Sequence, residues 1–436
     1  MLTLRVNQNT SFKASPVQSI SLPANQQVSV NAGSSFQVKH YQKQNQHYLV
    51  QLTQGIGSVG TSGFFFEKHV QIEEIRGVWI TNVDSDMLES QSKINDGLQK
   101  LKGLGFNTIY PVVWNRGCAL YPSAVAKQVI DPALSPVAFK DRDMLAEVVK
   151  EAKAQGFRVI PWFEYGLMTP SKSPLATNRP QWLTHDRHGN KEDKDSNFWL
   201  NPCHPEVQQF MAELISEVVE KYKEIDGVQL DDHFGMPAVM GYDSFTEQLY
   251  RQETGGADPA TNPNSALWKQ WRTDKITDLL KLIFTASKAK RGDCILSISP
   301  NPLGFSRREA LADWQAWERA GFVEELVLQV YRKDLPVFQK ELDMPEVQAA
   351  REHIPTVIGI ITGLKPDAQR VSWERIKEQV EETRVRDFAG FSFFFYGSVD
   401  ERFNSGLDLE LNPQTELLRA SRLQAFGDLL STDRFV

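Results

Sequence analysis

The stretch MLAEVVKEAKAQGFRVIPWFEYG (144–166) holds one complete helix-to-strand unit. Its first part, MLAEVVKEAKAQG (144–156), is amphipathic and closes on Gly156, the residue type that most easily takes the left-handed turn at a helix C-terminus. RVIPWF (158–163) follows at once, a short apolar run of the kind buried on both faces of a parallel sheet. Outward from it the same rhythm recurs. Upstream, INDGLQKLKGLG (94–105) ends on Gly105 and leads into TIYPVVW (108–114), with GVWIT (77–81) before it. Downstream, VQQFMAELISEVVEKY (207–222) precedes GVQLD (227–231). The runs ILSIS (295–299), ELVLQVY (325–331), TVIGII (356–361) and GFSFFFY (390–396) follow, with the helical WERIKEQVEETR (373–384) before the last. Eight strands alternating with helices predict an α/β chain folded as a (β/α)8 TIM barrel. A doubly wound open sheet is the rival, and no Gly-rich phosphate loop follows the first strand to support it.

Residues 1–70 read differently. SISL (19–22), QVSV (27–30), FQVKHY (36–41) and HYLVQL (47–52) are short alternating runs broken by Pro, Asn, Gly and Gln, and SGFFFEKHVQI (62–72) looks like a closing strand. Period-two alternation with frequent turn signals predicts a small all-β barrel or sandwich, and so a division into a β module over 1–70 and a barrel over 71–436.

Composition narrows the function. A net charge of -7 argues against a dedicated nucleic-acid binder, which would carry a basic face. Cys118, Cys203 and Cys294 are too scattered for a disulfide framework or a metal site. No apolar run is long enough to span a membrane. The opening MLTLRVNQNTSFKAS is too short and interrupted for a signal peptide, so the chain as written reads as soluble and cytoplasmic; removal of an export signal would leave the same text. Nothing indicates a cofactor or an oligomeric state.

Two βα loops, 166–205 and 234–266, are too long to be plain connectors and are expected to build a cleft on the C-terminal face. Within the first, HDRHGNKEDKD (185–195) reads as a solvated turn rather than a cation site. That face is also where strand-end carboxylates carry information. The fourth strand runs into Asp231-Asp232-His233, where alternation puts Gln229, Asp231 and His233 on one face and Leu230 with Asp232 on the other. The third strand ends in Trp162 and Glu164, the sixth in Gln329, Tyr331 and then Asp334, which can equally cap the next helix. Trp79, Asn82, Trp114, Asn115, Arg116, Asn301 and Tyr396 stand at the other strand ends as ring-stacking or hydroxyl-binding candidates. Glycoside cleavage needs two carboxyl groups that titrate differently, and Asp231 with either Glu164 or Asp334 can supply them.

IRGVWITN (75–82), LGFNTIYPVVWNRG (104–117), GFRVIPWFEYG (156–166), FWLNPCHPEV (198–207), IDGVQLDDHF (225–234) and LVLQVYR (326–332) resemble the bacterial glycosyl-hydrolase-like family 10, a group distinct from the family-10 xylanases. The β module is similar to SH3-like barrels. The resemblance implies a sugar-cleaving barrel acting on a polysaccharide or oligosaccharide. In the wider clan of α-glycan-cleaving barrels the nucleophilic Asp closes the fourth strand in a Gly-x-x-x-Asp context; Gly227 to Asp231 matches, which favours Asp231 over Asp232. Amylase-type barrels place their acid after the fifth strand, where this chain has Ser299-Pro300-Asn301, so Glu164 and Asp334 both stay open as the acid. Relatives acting on cell-wall glycan, together with an SH3-like module, point to a peptidoglycan-type or amino-sugar substrate. A carbohydrate-binding protein on a degenerate barrel is the alternative. A metal-dependent hydrolase needs clustered His and Asp ligands, and only His233 occupies such a position.

Overall fold

The computed structural model describes residues 1–130, 139–259, 262, 264–363, 371–399, 424, 427–430 and 434–435. The C-terminal end of the expected barrel segment, 400–423, lies outside the described residues.

All eight expected barrel strands form. They are Ile75–Ile80, Thr108–Pro111, a third strand in two pieces (Arg158–Val159 and Trp162–Phe163), Gly227–Asp231, Ile295–Ser299, Glu325–Gln329, Thr356–Ile361 and Gly390–Phe394. Every pairing is parallel, and the first strand pairs with both the second and the eighth. The third strand is interrupted at Pro161, which has no N–H to give to a ladder. Its first piece pairs with the second strand, Arg158 opposite Thr108, and its second piece with the fourth, Trp162 opposite Gln229. Across the break the Ile160 amide donates to Ile109 O at 3.0 Å and the Gln229 amide to Pro161 O at 2.8 Å. The nine segments are thus one curled parallel sheet, and this arrangement fits a (β/α)8 barrel.

The helices Gln91–Gly103, Met144–Ala154, Pro205–Lys221 and Trp373–Val385 fall where the periodicity put them. Gly105 and Gly156 take φ of 94° and 77°, the left-handed turn that only glycine adopts without strain. Strand ends differ from expectation. The second strand stops at Pro111, and Trp114–Asn115 turns back through Arg116 (φ 51°) and Gly117 (φ 72°) to pair with Cys118–Ala119. The sixth strand stops at Gln329 and the eighth at Phe394.

Seven antiparallel strands precede the barrel: Leu2–Val6, Thr10–Lys13, Gln27–Val30, Ser35–Gln44, His47–Ile56, Gly60–Phe66 and Val70–Ile72. The expected closing strand is split by a helical turn at Glu67–His69, and SISL (19–22) is largely a helical turn. This sheet lies against the N-terminal ends of the barrel strands. The Lys43 amide donates to His353 O at 2.7 Å, ahead of the seventh strand, and Lys39 pairs with Asp293 at 2.5 Å, ahead of the fifth. One apolar core runs through sheet and barrel. Among the described residues no helix is long and apolar enough to cross a membrane.

Polar groups thread the inside of the barrel. Arg158 and Glu325, both essentially unexposed, form an ion pair there. Glu325 Oε1 also accepts from Tyr110 Oη at 3.2 Å and Ser297 Oγ at 2.9 Å. Gln229 donates to Ser297 at 3.0 Å and accepts from the Trp79 indole at 2.7 Å. Removing one partner of a buried pair strands the other charge. Arg158→Met is therefore expected to cost roughly 3–5 kcal/mol in urea unfolding, and adding Glu325→Leu to recover most of it.

Candidate active site

Six consecutive strand ends supply the mouth of the barrel. Asp231 closes the fourth strand at 6% exposure. Its Oδ1 accepts hydrogen bonds from Ser299 Oγ and Gln329 Nε2, both at 2.8 Å, and its Oδ2 faces His233 Nδ1 at 3.3 Å. Burial first, and then the neighbouring Asp232 charge, push its carboxyl up to about 7.

Asp232 does not point away as strand alternation implies. The strand ends at Asp231, and the turn closed by the Phe234 amide on Asp231 O (2.9 Å) swings Asp232 back into the mouth. There its Oδ2 accepts from Asn301 Nδ2 at 2.5 Å, and its Oδ1 lies 3.5 Å from both Gln329 Nε2 and His233 Nδ1. His233 Nδ1 is also 2.9 Å from the Glu164 carbonyl oxygen. A carbonyl can only accept, so this nitrogen carries a proton. Burial opposes charge on the ring, but Asp232 and Asp231 together with the Glu164 carbonyl raise it to about 10. The result is an imidazolium held against two aspartates, half-stacked on Tyr165 with ring centres 5.9 Å apart.

Glu164 follows the third strand. Its Oε2 accepts from Asn115 Nδ2 at 2.6 Å and Thr81 Oγ1 at 3.1 Å, and the same Asn115 amide donates to Asn82 Oδ1 at 2.8 Å. Burial and the Asp231 charge lift the Glu164 carboxyl to about 8, against the pull of His233, Thr81 and Arg116. Tyr331 stands among the same groups: burial and the charges of Asp231, Asp232 and Glu164 hold its phenol protonated far above the ordinary range. The mouth thus brings together two carboxyl groups, each met by donors from neighbouring strands and each raised above the ordinary carboxylate range by burial and nearby charge.

Of the residues expected here, Asp231, Asp232, His233, Glu164, Asn82, Asn115, Asn301, Gln329 and Tyr331 come together. Others do not. Asp334 is exposed, and its carboxylate accepts from the Val337 amide at 3.0 Å as the cap of helix Leu335–Leu342, so the capping alternative describes it. Trp79, Trp114 and Trp162 are only 1%, 0% and 2% exposed, so protein neighbours cover the ring faces expected to meet a sugar. Trp79 packs on Tyr110, Trp162 and Phe394, and the Trp114 indole donates to Gly166 O at 3.2 Å. Gln229 lies beneath the mouth with no exposure, tied to Trp79. Tyr396 is buried at the start of the short helix Tyr396–Val399, and Arg116 is exposed in its hairpin turn. Thr81 enters the site without having been singled out; it is the final residue of GVWIT and shares parity with Trp79. Trp199, from the long loop after the third strand, reaches His233 with ring centres 6.2 Å apart. In the same loop, Asp186 and Asp193 accept backbone amides of their own turns, as a solvated turn does.

Asp231, Asp232 and His233 place ligand-type atoms within 4.8 Å of one another, a cluster the sequence spacing did not signal. A cation held there needs a bare ring nitrogen. Nδ1, the one turned to both carboxylates, instead carries its proton toward Glu164 O, so the donor set suits an imidazolium better than a metal.

A sequence model of a family described as glycosyl hydrolase-like 10 matches residues 74–379, more than half of the chain. Glycosyl hydrolase DigH of Escherichia coli strain K12 is 26% identical over 291 residues, 59% of this chain and 62% of that protein. Glycosyl hydrolase YngK of Bacillus subtilis strain 168 is 25% identical over 338 residues, 67% of this chain and 61% of that protein. The chain therefore spans less than two thirds of these curated relatives' length. Among solved structures, the glycoside hydrolase domain of PgaB (BpsB) from Bordetella bronchiseptica superposes with a TM-score of 0.57 at 12% identity, over 80% of this chain and 98% of that one. The catalytic domain of the β-amylase from Paenibacillus polymyxa gives 0.57 at 10% identity, over 83% and 98%. At such identities the likeness is one of fold.

Because the Asp231 charge helps lift Glu164, Asp231→Asn is expected to bring the Glu164 titration down from about 8, followed by carbon-13 NMR of the side-chain carboxyl. An unmoved titration would mean that the two groups do not sense each other.

Proposed function

The chain belongs to the glycosyl hydrolase-like 10 family, and from that premise we propose that it hydrolyses glycosidic bonds in a bacterial polysaccharide. The observation that carries this reading is the pair of carboxyl groups at adjacent strand ends, Asp231 and Glu164, brought into one mouth and held by different donors, Ser299, Gln329 and His233 for the first and Asn115 and Thr81 for the second. Asp231, met by Ser299, Gln329 and His233, acts as nucleophile or base at the anomeric carbon, where positive charge develops in the transition state. Glu164, kept protonated by burial and by the Asp231 charge, gives its proton to the leaving oxygen. Asn115 and Thr81 hold Glu164 in place from neighbouring strands. His233 lies against both Asp231 and Asp232, where its positive charge offsets part of theirs. Asn82, Asn301 and Tyr331 are read as hydroxyl-binding groups at the rim.

The substrate class we propose is a peptidoglycan-type or amino-sugar glycan. Residues 1–70 are read as an SH3-like module that holds polymer, with 71–436 as the (β/α)8 catalytic barrel. A non-catalytic, degenerate barrel is disfavoured by the presence of both carboxyl groups in complementary settings.

The roles make opposite demands on pH. Activity needs Asp231 ionised, so kcat/KM rises through about 7, and needs Glu164 protonated, so it falls through about 8. A narrow bell is expected, with its alkaline limb absent in Glu164→Gln. That variant should lose roughly 10²–10⁴-fold on a natural glycan but far less on a nitrophenyl glycoside, whose leaving group needs no proton. Equal losses on both substrates would remove Glu164 from the role of acid.

A further inference from the structure

The N-terminal sheet carries a groove of about 850 Å³ lined only by residues between Asn9 and His69. On its wall sits Lys13, a lysine just 4% exposed. Its ammonium donates to Val17 O at 2.6 Å and to His47 Nε2 at 2.7 Å. His47 Nδ1 lies 2.7 Å from the Asn45 carbonyl oxygen, so Nδ1 carries the ring proton and Nε2 offers a lone pair to Lys13. Two neutral acceptors therefore take two of the three ammonium protons. Among the described residues no carboxylate pairs with this charge; burial alone acts on Lys13 and holds its pKa below the ordinary value, while Glu67 acts on His47 instead. A buried cation without a counter-charge is costly, and few folds keep one that has no partner to receive.

The rest of the groove suits a sugar. The Phe66 ring lies between His47 and His69, with centres 5.5 and 4.9 Å away, and is half-buried. His69 Nδ1 is 3.1 Å from Thr10 Oγ1, and Ser11, Ser29 and Asn31 add hydroxyl and amide groups. We propose that this groove binds a carboxylate-bearing saccharide, with Lys13 as the counter-cation of the carboxylate and Phe66 with His69 against the sugar ring. One residual N–H beside a neutral histidine matches a single negative charge better than a phosphate dianion. The sugar half of this inference rests on the polysaccharide reading above; the carboxylate half rests on Lys13. The carboxylate can be a ring uronate or a lactyl group on an amino sugar, and because the sheet lies against the strand starts while Asp231 closes a strand at the other end, its binding is separable from cleavage.

The test is calorimetric titration of the full chain carrying Asp231→Asn, chosen to suppress turnover on the reading above. Four probes are needed: galacturonate pentamer, its methyl ester, a muramic-acid-containing tetramer with a free lactyl carboxyl, and neutral chitopentaose. At least one acidic probe is expected to bind about tenfold or more tighter than the neutral two, and which one does so identifies the source of the carboxylate. Lys13→Met should abolish that preference, and His69→Ala should weaken the acidic probe without unfolding the sheet. Binding of both acidic probes no tighter than the neutral two, or a preference that survives Lys13→Met, overturns the proposal. Should Lys13→Met fail to fold, the ring resonances of His47 and His69 in the Lys13-containing chain decide: the acidic probe must shift them, and no shift overturns it. Groove failure alongside glycan hydrolysis by the wild type leaves the glycosidase reading intact, and acid binding with no hydrolysis of any glycan separates the two the other way.

Discussion

A carboxylate kept at 6% exposure has to be answered by donors, and the mouth of this barrel is organised around that demand at Asp231. Ser299 arrives from the fifth strand, Gln329 from the sixth and His233 from the turn just beyond, each within reach of one of its two oxygens. These donors can converge only because the fourth, fifth and sixth strands run parallel and in register, Asp231 opposite Ser299. The second acid in the turn, Asp232, raises the electrostatic cost, and the imidazolium of His233 offsets it. Glu164 then feels a neighbour that is negative, and that neighbour together with burial keeps its proton on. Asp231, Glu164 and His233 thus share one electrostatic neighbourhood, and a change at one is felt at the others.

Beneath the mouth the barrel solves a related problem with different means. Its interior is not filled by aliphatic layers alone; Trp79, Gln229, Ser297, Glu325, Tyr110 and Arg158 form a continuous set of hydrogen bonds and one ion pair. Every member has a bonded neighbour within the set, which is what makes buried polarity tolerable. The set also fixes the Trp79 ring, on which Trp162 packs, and Glu164 follows Trp162 by two residues. Packing far below the surface therefore bears on where the acid sits. The N-terminal sheet closes the opposite end, against the starts of the strands, leaving the mouth to the long loops.

Much of this was legible in the residues themselves. Helix-to-strand joints such as Gly105-Phe106 and Gly156-Phe157 mark a position where only glycine is comfortable, and each proved to be one. The strands buried on both faces read as apolar runs, and Asp231 and Glu164 stood out because an acid at the end of such a run is costly there without a partner. Tertiary effects were not legible. Alternation put Asp232 on the far face, but the strand ends one residue earlier and the turn reverses it. Rings at strand ends, Trp79, Trp114 and Trp162, look like sugar platforms until their neighbours are known; being large and apolar, they were claimed by the core. Asp334 illustrates the opposite ambiguity, since a helix cap and a catalytic acid use the same side chain and only its exposure and its bond to the Val337 amide tell them apart. Pro161 could be seen, but not that the third strand would change partners across it.

The central claim is that Asp231 carries the chemistry of glycan cleavage, and release of reducing ends from a panel of bacterial glycans measures it most directly. Wild type and Asp231→Asn would be compared on peptide-free peptidoglycan strands and amino-sugar polymers, with circular dichroism and glycan binding recorded for both. The account expects product from at least one polymer with wild type, and a loss of several orders of magnitude in the variant while fold and binding persist. Wild type that binds glycan yet releases nothing, or a variant that cleaves at an undiminished rate, would contradict it.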